Sequence, residues 1–174
     1  MVVRIERSTA APCVQFVAHA EPYIIPKKDG IMNTRSEMDQ KYEAIYTALG
    51  YLFYAIAVSS GEVSAAEQEE LDRTIQRIWL PYEGSTDELG VDAAEYIAFA
   101  FERARNEHLG GPETMLAFRE AFSAQPELFT HDLKEMVQAT ARSIAAVQAG
   151  VGKRERAKLA ELDRILKGGT PIAQ

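Results

Sequence analysis

Cysteine is nearly missing from this chain. Cys13 is the only one in 174 residues, which excludes an internal disulfide and any paired-thiol metal or redox motif. Long apolar runs are missing too. No stretch of about 20 apolar residues is present, so a membrane-spanning helix is not expected. Near the N-terminus Arg4, Glu6 and Arg7 interrupt the apolar core that an export signal needs, and a cytoplasmic setting is expected. Positive charge is in deficit, with 19 Lys and Arg against 26 Asp and Glu and a net charge of −7. Such a balance repels phosphate backbones unless cations gather on one face, so nucleic acid is not an expected partner.

The catalytic and cofactor signatures are equally sparse. The sequence contains no GxSxG, Walker loop, HExxH or dinucleotide-type glycine pattern. Gly110-Gly111-Pro112 breaks two helices but lacks the lysine of a phosphate loop. His19, His108 and His131 stand in separate segments without the spacing that projects two ligands from one helix face. Glu127 precedes His131 by one turn, but Pro126 makes that turn a helix start, where both side chains serve the terminus. No catalytic set, cofactor or metal site follows from these residues, and a non-enzymatic protein is expected.

What the chain does have is an echo of itself. Ile56-Ala57, Val63, Glu67 and Leu71 recur as Ile144-Ala145, Val151, Glu155 and Leu159, each pair 88 residues apart. In both copies an apolar helix meets a turn of small residues, and a second helix begins with a glutamate in its first turn. This pattern predicts a duplicated helix-turn-helix. It also predicts that Val63 and Leu71 bury between the halves as Val151 and Leu159 do.

With 47% hydrophobic and 26% charged residues, the chain has the composition of one globular domain. Residues 1–33 differ from the rest. Pro12, Pro22, Pro26 and Gly30 exclude a long helix there, yet their Val, Ile, Phe and Tyr residues need cover, so this N-terminal arm is expected to pack on the bundle or to join two copies of the chain. From Thr34 to about Ser59 apolar residues follow helical spacing, and Tyr42, Tyr46, Tyr51, Phe53 and Tyr54 occupy more than one face. That helix is either central or exposes a tyrosine. Next comes a helix opened by a Ser64-to-Glu67 capping box, with Leu71, Ile75, Ile78 and Trp79 as its buried stripe and Pro81 as its stop.

Asp92 and Glu95 form a second capping pattern, ahead of a helix whose apolar residues are Tyr96, Ile97, Phe99, Ala100 and Ala104. Pro112 opens a shorter helix faced by Met115, Leu116, Phe118 and Phe122. Helices from about Thr130 to Gln148 and from about Gly152 to Leu166 complete an all-α bundle of about six to eight helices in two pseudo-symmetric halves. Residues 34–167 form that domain, and 168–174 a tail.

The hairpins carry opposite charge. Glu62, Glu67, Glu69, Glu70 and Asp72 crowd the first, while Lys153, Arg154, Arg156 and Lys158 open the last helix. Cations at a helix start oppose the helix dipole, so a carboxylate from a partner or from the acidic hairpin is expected to face them.

The segment Tyr54-Ala-Ile-Ala-Val-Ser-Ser-Gly-Glu-Val-Ser-Ala-Ala-Glu-Gln-Glu-Glu-Leu71 resembles the TerB-like domains, named for tellurite-resistance proteins. Gly61, Val63 and Glu67 match the family pattern, and the resemblance covers residues 36–167. It implies an all-helical fold of two related halves, a role in a stress or envelope-associated assembly, and acidic residues that have been proposed to bind metal. The family aspartate before the turn glycine is Ser60 here, and the second copy reads Gln148-Ala149-Gly150. Calcium, magnesium and zinc are therefore not expected to bind tightly at the turns. The expected function is a non-enzymatic interaction module with an unidentified protein partner, its candidate positions being Ser60, Gly61, Glu62, Glu67, Glu69, Lys153, Arg154 and Glu155. The alternative is a stress protein holding metal weakly through Glu62, Glu67 and Glu69.

Overall fold

A computed structural model of the chain describes residues 34–82, 84, 86, 90–147 and 151–168. The expected arm over residues 1–33, with His19 and Cys13, lies outside the described residues, as do the turn at 148–150 and the tail beyond Gly168. Among the described residues the fold is all-α, in the order α1 (Thr34–Ala57), α2 (Ala65–Thr74), α3 (Leu80–Tyr82), α4 (Glu95–Asn106), α5 (Gly111–Ala124), α6 (His131–Ala146) and α7 (Lys153–Leu166). α3 is a single turn that continues α2 through a π-helical turn at Ile75–Trp79.

Helix α1 is the central one. Every residue from Leu52 to Ala57 is buried, and α4, α5, α6 and α7 all pack around it. A helix that is apolar all round is stable only when neighbours enclose it, which resolves the placement of its aromatics: Tyr46, Phe53 and Tyr54 are buried, and Tyr42 and Tyr51 are partly covered. Gly50 lets α4 approach. A β-carbon at that position would stand 2.7 Å from Ala100 Cβ and closer still to the Ile97 carbonyl oxygen.

The buried stripe of the second helix differs from the expected one in a single residue. Leu71, Ile75 and Trp79 are buried, but Ile78 is 44% exposed. In a regular α-helix, residues four apart drift steadily around the axis, whereas the wider π turn keeps 71, 75 and 79 on one face and turns Ile78 outward. Within it the Leu80 N–H donates to the Ile75 carbonyl. The same widening relaxes the backbone just before Pro81, which lacks an N–H and would crowd a regular helix. Trp79 is thereby delivered to the core. Its ring meets Tyr46 edge-on at 5.9 Å and Phe53 at 6.1 Å, and its Nε1–H donates to Thr140 Oγ1 on α6 at 3.1 Å.

Helix α4 also departs from expectation. Asp92 does not form a capping box with Glu95; its side chain accepts from the Ala94 N–H at 2.9 Å and its carbonyl accepts from Glu95 N–H, so a turn precedes the helix. Phe99 is 53% exposed, and Phe101, not assigned to the face from sequence, is fully buried with Ile97, Ala100 and Ala104. Those four follow the 3-4 spacing that Phe99 breaks. On α5, Met115, Phe118 and Phe122 are buried and Leu116 is exposed, while Phe118, Phe122 and Phe129 stack into one aromatic cluster.

The two hairpins break at corresponding places. α1 ends at Ala57 and α6 at Ala146; α2 begins at Ala65 and α7 at Lys153. Their burial is less alike. Val63 and Val151 are both partly buried, but Leu71 is fully enclosed and Leu159 only partly.

Candidate functional site

The first turn is built by Ser59, Ser60 and Gly61. Both serine hydroxyls donate back to helix carbonyls, Ser59 to Ile56 at 2.7 Å and Ser60 to Ala57 at 3.3 Å, which closes the C-terminal end of α1. Gly61 follows at φ 146°, a conformation side chains other than glycine rarely adopt. Ser64 then caps α2. Glu67 Oε2 accepts from both the Ser64 N–H and the Ser64 hydroxyl at 2.8 Å, and the Glu67 N–H returns a bond to Ser64 Oγ. The whole Glu67 residue is 2% exposed.

The acidic hairpin is thus largely engaged within itself. Glu69 and Glu70 both pair with Arg73, and Asp72 accepts from Gln68 at 3.1 Å. Among the described residues the basic start of α7 forms no ion pair with these carboxylates, although such pairing is one of the two arrangements expected. Lys158 pairs with Glu161 on its own helix at 2.9 Å. No carboxylate among the described residues pairs with Lys153, Arg154, Arg156 or Arg164. Glu155 stands at the third position of α7, its carboxylate folded over the capping Gly152 much as Glu67 folds over Ser64.

The hairpins do converge in space. The turn Val58–Ser60 packs against α7, and between them and the start of α5 opens a cleft of about 610 Å³. Its apolar lining comes from Ala55, Val58, Leu109, Pro112 and Ala157. Arg154, Lys158 and Arg164 stand along one wall with Glu161 the sole acid, so the lining carries a cationic excess. All four lie within about 120° of the α7 circumference at 100° per residue, which makes this wall one helix face. Gly111 forms part of the lining because it lies against Ala55 of α1 and Val58 of the turn, where an added β-carbon would come 3.0 Å from Val58 Cγ1. Helix α5 starts here with Gly110 as its cap and no side-chain cap. Glu113 in its first turn offsets the positive end of the helix dipole there.

The loop forming the near wall is anchored from the core. Tyr54, buried in α1, donates from its hydroxyl to the Leu109 carbonyl at 3.0 Å, and burial pushes its phenol above the ordinary value. His108, the residue before, has φ 53° and is exposed. With Glu62 and Arg105 it borders a smaller hollow of about 340 Å³ that shares Val58 and Leu109 with the cleft. His131 pairs with Glu135 at 3.2 Å rather than with Glu127, and both groups are well exposed. No cluster of three or more His, Cys, Asp or Glu side chains able to hold a metal occurs among the described residues. No helix among them is long and apolar enough to cross a membrane.

Of the positions singled out from sequence, Arg154 lines the cleft, Ser60 and Gly61 shape the turn beside it, and Glu62 borders the smaller hollow. Glu67, Glu69 and Glu155 serve their own helices, and Lys153 is exposed at the start of α7. Sequence reasoning missed Arg164 and the Leu109–Pro112 wall. The spacing of Arg154, Lys158, Glu161 and Arg164 on one helix face was available as a signal; the contribution of Gly110-Gly111-Pro112 was not, because it depends on the packing of α5 against α1. Comparison with protein-family models, with curated proteins and with solved structures returns no match to this chain.

Proposed function

We propose that the chain is a non-enzymatic binding module, similar to the TerB-like domains, that takes up an anionic partner in the cleft where its two hairpins meet. The observation that carries this reading is the unequal use of charge. Glu67, Glu69 and Glu70 of the first hairpin are engaged in a cap and in ion pairs, whereas Arg154 and Arg164 flank an apolar cleft and pair with no carboxylate among the described residues. Guanidinium groups stay charged at any physiological pH and donate without accepting, which suits binding rather than proton transfer. The single cysteine fits a cytoplasmic setting, and the resemblance suggests a stress or envelope-associated assembly. Holding metal through Glu62, Glu67 and Glu69 is the weaker reading, because Glu67 and Glu69 already have partners.

The test is a thermal-shift panel of acidic peptides, alkyl carboxylates and inorganic phosphate, run on the full chain and on Arg154→Glu. At least one class of anion should stabilise the parent protein and lose that effect in the variant. If no class does so, the reading fails.

A further inference from the structure

We infer that the occupant of this cleft is an extended acidic peptide segment, four to five residues long, with a carboxylate at each end and small aliphatic side chains between. This rests on the proposed binding role of the cleft and adds the class of ligand. Its first support is length. Arg154 and Arg164 are ten residues apart on α7, so their backbones are separated by about 15 Å along the helix axis. An extended chain advances about 3.3 Å per residue, and four to five residues span that distance. At that backbone separation a single carboxylate or phosphate meets both guanidinium groups only if both arginine side chains extend toward one another along the helix.

The second support is the order of chemistry along the wall. Between the two arginines lie Ala157 and the Lys158–Glu161 pair, which neutralise one another at 2.9 Å. The cationic field is therefore concentrated at the two ends of the wall. The rest of the lining is Val58, Leu109 and Pro112, which offer aliphatic contact, with Ser59 and the Gly110–Gly111 backbone beside them. An acidic–aliphatic–acidic segment matches this sequence of charge and apolar surface, whereas a uniformly acidic chain would set its central carboxylate beside Glu161 and this apolar wall. A nucleic-acid strand, with a phosphate at every step, meets the same objection.

The test is fluorescence anisotropy with the full chain and a labelled, end-blocked peptide, Asp-Ala-Leu-Ala-Asp. Charge reversal at either cleft end, Arg154→Glu or Arg164→Glu, should weaken binding by about tenfold or more, and replacing either peptide Asp by Asn should weaken it several-fold. Arg77→Glu, on exposed surface of the π turn, should leave it unchanged. Shortening the peptide to Asp-Leu-Asp should abolish the advantage of the second carboxylate. Circular dichroism of each variant separates lost binding from lost fold. The inference is overturned if the peptide does not bind, if its binding ignores both arginines, or if the three-residue peptide binds as tightly. It is also overturned if octanoate or phosphate alone fills the cleft with equal affinity, and that outcome leaves the wider reading of an anion-binding module standing.

Discussion

Replacing Glu67 by alanine separates a structural acidic hairpin from a metal-binding one. In the native chain its Oε2 accepts two bonds from Ser64 at 2.8 Å, and the residue is 2% exposed. Removing the carboxylate leaves both the partly buried Ser64 N–H and the Ser64 hydroxyl without their acceptor, at about 1 kcal/mol each. A total near 2 kcal/mol corresponds to a fall in Tm of roughly 4–8 °C for a chain of this size. Glu69→Ala is the control: it breaks one exposed ion pair to Arg73, which Glu70 still holds, and should cost about 0.5 kcal/mol or less. Urea unfolding followed by the emission of Trp79, the single and fully buried tryptophan, reads both variants. The capping account is refuted if Glu67→Ala costs no more than Glu69→Ala. It is also refuted if millimolar Ca²⁺ or Zn²⁺ stabilises the parent protein and that gain disappears in Glu67→Ala.

Three further outcomes follow from the packing and the cleft. Gly50→Ala should destabilise the chain by about 1–3 kcal/mol in urea unfolding, since overpacking against Ala100 and Ile97 exceeds the helix-propensity gain of about 1 kcal/mol; a stabilised variant would show that α1 and α4 are not so close. Tyr54→Phe should lower stability by about 1 kcal/mol and raise amide exchange at Leu109–Gly111, because the Leu109 carbonyl loses its donor; unchanged exchange would remove Tyr54 as the anchor of the cleft wall. In an ultraviolet titration of the parent protein Tyr54 should ionise above the ordinary value of 10.0, as burial penalises its charged form. The folded state then holds the proton more tightly than the unfolded one, so this contribution is intact below pH 10 and stability falls as the pH rises beyond it; ionisation of every tyrosine at the ordinary value would contradict it.

The helices themselves were legible because their signals are local. The Ser64–Glu67 capping box, the Gly61 turn and Pro112 in the first turn of α5 are all set by neighbours in sequence, and all are found. The exceptions share one cause. Ile78, Phe99 and Leu116 look apolar enough for a core, but a π turn and the choice of packing partner decide the face, and neither is encoded within a few residues. The cleft was half legible. Arg154 stood out as a cation at a helix start, yet the other wall is assembled from Val58, Leu109 and Pro112, drawn from distant parts of the chain. The acidic hairpin invited a functional reading from its composition alone, and only the bonds of Glu67, Glu69 and Glu70 show how those charges are used.

The central claim is that an anionic partner enters where the two hairpins meet. Amide chemical-shift mapping of the isotopically labelled full chain, titrated with the peptide Asp-Ala-Leu-Ala-Asp, tests it most directly. The account predicts that shifts concentrate at Val58–Ser59, Leu109–Gly111 and Arg154–Arg164, on the three elements that line the cleft. Shifts confined to the acidic helix α2, or scattered over the surface without these segments, would contradict it.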